Sequence, residues 1–107
     1  MTNSKKILDK VSLVIVTHER PKLLRRAFEY YNKFFNNLII VDSSKKKIKY
    51  YKKKSYLHLP DKSFLEKIYI GISKSKTKYI LIASDDDFIL PQSVCEGLKF
   101  IENKKDY

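Results

Sequence analysis

Little in this chain could cross-link it, loosen it or carry it through a membrane. A single cysteine, Cys95, among 107 residues excludes an intramolecular disulfide and suits a reducing compartment. Two glycines and three prolines leave no room for a flexible or proline-rich linker, and no segment repeats. No apolar run approaches the ~20 residues of a membrane-spanning helix. The opening MTNSKKILDK lacks the apolar stretch of a secretory leader. Arginine is scarce too: of 23 basic residues only Arg20, Arg25 and Arg26 are arginines, and the rest are lysines. These absences leave one cytoplasmic domain, spanning residues 1–107, as the expectation. The net charge of +11 implies solubility and nonspecific attraction to phosphates or an anionic membrane face, not a specific partner.

What is present reads as a packed α/β fold. VSLVIVT (11–17) is a β-branched apolar run, long enough for a buried strand and too short for a helix. In RPKLLRRAFEYYNKFF, Leu24, Ala27, Phe28, Tyr31 and Phe35 recur at helical spacing, with Pro21 in the first turn, where a missing N–H costs nothing. NNLIIVDSS (36–44) is a turn and a short strand ending at Asp42, and YLHLP (56–60) a second short strand stopped by Pro60. Ser63 and Glu66 form a capping box before a helix whose predicted apolar stripe is Phe64, Leu65, Ile68 and Ile72. KYILIAS (78–84) is the next strand, and a last helix begins near Pro91. Apolar strands alternating with amphipathic helices predict a three-layer α/β/α arrangement around a mostly parallel sheet. Ligands of such sheets bind beyond the carboxyl ends of the strands. There the polar clusters THER, DSS and SDDD directly follow three predicted strands.

Asp85, Asp86 and Asp87 repel one another and need compensation. A hard divalent cation, Mg²⁺ or Mn²⁺, takes oxygen ligands and needs only one or two carboxylates when water and phosphates complete its shell. A solvated acidic turn capping the next helix is the other reading of the triplet.

SLVIVTHERPKLLRRAF, LIIVDSS and GISKSKTKYILIASDDDFILP, in that order and separation, resemble the amino-terminal, nucleotide-sugar-binding half of family 2 glycosyltransferases, which have the Rossmann-like GT-A fold; the resemblance covers a core of about 10–104. The resemblance implies that Thr17, His18, Glu19 and Arg20 line the nucleotide pocket, with Arg20 near base or phosphate. It implies that Asp42 accepts a hydrogen bond from the base, commonly uracil. Asp85, Asp86 and Asp87 become a D-x-D-type motif holding Mn²⁺ or Mg²⁺ against the sugar diphosphate, Asp87 first and Asp86 next. The implied donor is a nucleotide-diphosphate sugar, a UDP-sugar above all. The implied parent activity is sugar transfer to a saccharide, lipid-linked or protein acceptor, as in polysaccharide biosynthesis. The chain departs from the family pattern where Lys67, Ile68 and Tyr69 stand at a frequent Ala-Arg-Asn stretch and Thr77 at a frequent glycine. An acceptor-binding half that would supply a catalytic base has no counterpart in the sequence, which makes a truncated half-domain the expectation.

Other features have plainer readings. His18 could ligate a metal or stack on a base; His58, between Leu57 and Leu59, reads as packed; Cys95 reads as a buried thiol; Arg25 and Arg26 read as a solvated helix face. KKKIKYYKKK (45–54) reads first as a solvated basic loop; its interleaving of lysine with aromatic and apolar residues is also a pattern that can bind single-stranded nucleic acid or an anionic membrane surface. No recognition-module signature accompanies it, so no specific nucleic acid is expected. It supports an alternative function as a non-catalytic basic binding module.

Overall fold

The computed structural model of the chain describes residues 8–48 and 55–104. The elements are β1 (Val11–Thr17), α1 (Pro21–Tyr31), β2 (Leu38–Asp42), β3 (Tyr56–His58), α2 (Phe64–Lys74), β4 (Tyr79–Ser84) and α3 (Pro91–Glu102), in the order the hydrophobic pattern predicts. The four strands form one sheet in the order β3-β2-β1-β4, and every pairing is parallel. The chain runs outward from β1 through β2 to β3, then crosses back through α2 to reach the far side of β1. The strand order therefore reverses between β1 and β4.

Period-two alternation sorts the central strands between two cores. Leu13 and Ile15 of β1, Leu38 and Ile40 of β2 and Ala83 of β4 pack with Leu24, Ala27 and Tyr31 of α1 and with Cys95 and Leu98 of α3. Val14, Val16, Ile39 and Val41 face the other way and pack against Ile68 of α2 and against Leu57 and Leu59. The result is the three-layer α/β/α fold, with β1 and β2 buried along their whole length. Cys95 is a buried free thiol. Among the described residues, no helix is long and apolar enough to cross a membrane.

Two helices differ from their sequence patterns. α1 stops at Tyr31, where the Asn32 N–H caps the Phe28 carbonyl. Phe35 reaches the core from the following turn, its N–H donating to the Tyr31 carbonyl at 2.9 Å. In α2 the predicted stripe is largely not the buried face: Phe64, Leu65 and Ile72 are exposed, Leu65 by 75%. Lys67 and Gly71 face the sheet instead. A Cβ on Gly71 would lie 2.5 Å from Val14 Cγ1, so the helix backbone approaches closer than any side chain would allow. The Ser63–Glu66 capping box forms as the sequence predicts.

Candidate functional site

The site lies where β1 and β4 end side by side. Thr17, the last residue of β1, donates its hydroxyl to Asp85 Oδ2 at 2.7 Å, and its carbonyl accepts from the Ser43 N–H at 3.2 Å. Arg20 Nη1 stands 3.3 Å from Asp85 Oδ1 and 3.7 Å from Asp86 Oδ2. Segments 68 and 65 residues apart in sequence thus meet at the reversal point of the sheet, where parallel sheets bind their ligands.

Between Thr17 and Arg20 the backbone is held in an unusual form. Glu19 has φ 53, a left-handed conformation uncommon for a residue with a side chain. Two bonds hold it: its N–H donates to Ser44 Oγ at 2.7 Å, and its carboxylate accepts from the Lys45 N–H at 2.8 Å. The turn directs Arg20 toward the acidic loop and starts α1 at Pro21. Strain of this kind persists where surrounding contacts over-determine it, as at binding sites. His18 is exposed, with Nδ1 2.8 Å from Ser43 Oγ.

Asp42 ends β2 with no exposed surface. Its Oδ1 accepts from the N–H and hydroxyl of Ser44 at 2.9 and 2.6 Å, and its Oδ2 from the Tyr56 hydroxyl at 2.5 Å. Direct contact with a base would require Ser44 or Tyr56 to move aside. His58 is half-buried and donates Nε2–H to the Ser44 carbonyl at 2.7 Å, since a carbonyl can only accept.

The three adjacent aspartates do not act alike. Asp85 is 4% exposed, with one oxygen on Thr17 and the other on Arg20. Asp86 and Asp87 are exposed. Asp86 Oδ1 accepts from the Ser84 hydroxyl, which with Arg20 and Arg26 nearby holds its carboxyl below the usual range. Asp87 Oδ2 accepts from the Ser84 N–H at 2.9 Å, and its Oδ1 has no hydrogen bond among the described residues. The loop is latched from behind: the buried Tyr31 hydroxyl donates to the Asp87 carbonyl and accepts from the Ile89 N–H, both at 2.9 Å. Burial raises the Tyr31 phenol above its ordinary value.

No three acidic, histidine or cysteine side chains among the described residues gather as a metal cage. A divalent ion completed by water and diphosphate oxygens does not need one. Asp86 and Asp87, neighbouring and exposed, each give only one oxygen to Ser84 and fit that demand; Asp85 has both oxygens committed.

Sequence reasoning missed Lys67. Its side chain is buried, at 5% exposure, and its Nζ donates to the Thr17 carbonyl at 2.9 Å. Burial pulls the ammonium below its ordinary value, while Asp42 and then Asp85 push it back up. The sequence marks Lys67 only as a departure from the family's Ala-Arg-Asn stretch, and Gly71, one turn later in the same helix, hints that this face meets the sheet.

Lys45, Lys46 and Lys47 are exposed beyond β2, and residues 49–54 of the basic stretch lie outside the described residues. A groove of about 610 Å³, lined by Ser12, Asn32, Asn37, Lys74 and Thr77 among others, sits at the amino ends of the strands and contains none of the site residues.

The sequence model of glycosyl transferase family 2 matches residues 12–107, so the chain belongs to that family. The matched span takes in Thr17 to Arg20, Asp42 and the acidic triplet, and the parallel sheet is that of a Rossmann-like GT-A half-domain. Membership carries nucleotide-sugar binding of the glycosyltransferase type, with a glycan acceptor, in general terms, and enzymes of the family commonly use divalent metals. Searches of curated proteins and of solved structures found no match.

Proposed function

We propose that the chain binds a nucleotide-diphosphate sugar, a UDP-sugar first, at the carboxyl ends of β1 and β4, with Mg²⁺ or Mn²⁺ held by Asp86 and Asp87. The observation that carries this reading is the meeting of Arg20 with Asp85 and Asp86 at the sheet's reversal point. Half of the Arg20 side chain is exposed, and its contacts at 3.3 and 3.7 Å are loose. A guanidinium so placed can turn to a diphosphate, which it grips in two-pronged fashion. The exposed His18 ring offers a face for the base. Asp42 reads the base N–H, with Ser44 and Tyr56 yielding to it. A divalent ion at Asp86 and Asp87 would stabilise the negative charge that grows on the diphosphate as the sugar leaves. The Thr17 hydroxyl keeps one oxygen of Asp85 occupied throughout. The parent reaction is transfer of the sugar to a saccharide, lipid-linked or protein acceptor, in the cytoplasm or at the inner membrane face.

Calorimetry with UDP and a panel of UDP-sugars, in Mn²⁺ or Mg²⁺ and again in EDTA, tests the reading. Binding should need the metal, and Asp87→Asn should weaken metal-dependent affinity by roughly tenfold or more, the loss of a charged ligand, with little change in melting temperature. Binding that ignores the chelator would overturn the metal assignment. Tight, salt-sensitive oligonucleotide binding without nucleotide-sugar binding would favour the basic-module alternative.

A further inference from the structure

Residues 85–90 join β4 to α3 and carry the acidic triplet, yet this surface loop is anchored from inside the protein. Tyr31, the last residue of α1, is fully buried. Its hydroxyl donates to the Asp87 carbonyl and accepts from the Ile89 N–H, both at 2.9 Å. A carbonyl can only accept and an N–H can only donate, so the phenol proton has one place to point and the two bonds reinforce each other. On the other side of Asp87, its own N–H donates to the Ser84 carbonyl at 3.2 Å. Both peptide groups of Asp87 are thereby held, one from β4 and one from α1. Tyr30 adds a longer bond, its hydroxyl donating to the Ile89 carbonyl at 3.3 Å. Phe88, between the clamped residues, meets the Tyr30 ring edge-on at 5.3 Å and the Arg26 guanidinium at 5.0 Å. This anchorage works against a loop that has reason to open. Asp86 and Asp87 are exposed like charges on adjacent residues, and a surface loop keeps its freedom unless its backbone groups are tied. An ion that met a loose loop would have to supply the ordering entropy itself and would bind more weakly.

We propose that Tyr31 is a positioning residue for the acidic loop: its hydroxyl clamps the main chain on either side of Phe88 and so holds Asp86 and Asp87 in the arrangement that receives a divalent ion, before any ion arrives. Tyr31 itself touches neither ion nor nucleotide. The proposal rests on the nucleotide-sugar reading for what the loop receives, whereas the clamp can be measured with no ligand present.

The test uses the full chain and two measurements. Amide hydrogen exchange in EDTA, followed residue by residue by NMR, reads the clamp. In wild type the Ile89 N–H should exchange about a hundredfold or more slower than a free amide, although it lies in a surface loop. Tyr31→Phe keeps the ring and removes only the oxygen. It should speed Ile89 exchange about tenfold or more relative to the β1 amides, which report global opening. Calorimetry with Mn²⁺ and uridine diphosphate reads the consequence. Tyr31→Phe should weaken this binding by roughly fivefold or more, as when only about a fifth of the molecules hold the competent loop. Val11→Ala is the control: it removes methyls from a buried residue at the amino end of β1, so the melting temperature should fall while affinity matches wild type. A Tyr31→Phe affinity within about twofold of wild type overturns the proposal, as does a loss of equal size in Val11→Ala. Free exchange of the Ile89 N–H in wild type overturns it too, even should Tyr31→Phe fail to fold. Wild type that binds no uridine diphosphate removes the donor reading, and Tyr31-dependent protection at Ile89 would then leave the clamp standing. Nucleotide binding that is indifferent to Tyr31 does the reverse.

Discussion

Asp42 and Asp87 both sit at or just past the end of a strand, and what surrounds them gives them different chemistry. Asp42 is sealed among Ser44 and Tyr56 with both oxygens in use; Asp87 is exposed and uses one oxygen to bind the Ser84 N–H. A carboxylate of the first kind holds its neighbours in place, and one of the second kind can meet an incoming ion. Asp42→Ala should therefore do two things. It removes the buried acceptor that Tyr56 and Ser44 share, a loss of about 1–3 kcal/mol in stability by denaturant titration. It also weakens uridine nucleotides while sparing affinity that rests on metal and phosphate alone. Unchanged uridine affinity in a folded Asp42→Ala variant would remove Asp42 from base recognition.

At the scale of elements, α2 shows how a helix can be placed by its smallest residue. Gly71 lets the helix sit against Val14 of β1, and that closeness brings Lys67 under the ends of the strands. Gly71→Leu should force the helix off the sheet and cost at least about 1–3 kcal/mol of stability. Gly97 of α3 is the control: nothing lies within 4 Å of a Cβ built there. Gly97→Ala should be neutral or add about 0.5–1 kcal/mol through helix propensity, both read from chemical denaturation midpoints. The other end of α3 carries a pH-sensitive clamp. Lys10, Tyr79 and Lys78 all donate to Glu102 and hold its carboxyl down at about 2. A carboxylate depressed in the folded state contributes stability that is complete above its ordinary value near 4.5 and is lost as pH falls through about 2. Glu102→Gln should flatten the decline of melting temperature between those two values. The effect should be small and should shrink in salt, because the cluster is exposed.

For the molecule as a whole, the +11 charge and the site are separable. Lys45, Lys46 and Lys47 are exposed beyond β2, and the bond that Lys45 makes to Glu19 comes from its backbone. Replacing all three by serine should weaken binding to heparin or oligonucleotides and lower the salt-dependence slope, by up to about three phosphate contacts. Nucleotide-sugar affinity should stay as it was. If filter binding and calorimetry fell together, the basic segment would belong to the pocket.

The order of elements, the buried central strands, the capping box and the polar clusters at strand ends could all be read from the sequence. Each is set by short-range patterning: apolar run length, period-two burial, a Ser three residues before a Glu. The family could be read too, because its motifs lie along the chain in a fixed order. What the tertiary structure alone decided is which members of those clusters are buried and which are open. Asp85, Asp86 and Asp87 are identical letters in sequence; Thr17 and Arg20 single out Asp85 only because β4 lies beside β1. Periodicity assigned α2 an apolar stripe, yet close packing at Gly71 turned Lys67 inward and left Leu65 in solvent. Burial of a charge is decided by partners distant in sequence, here the Thr17 carbonyl that takes the Lys67 ammonium, and no local pattern encodes their approach.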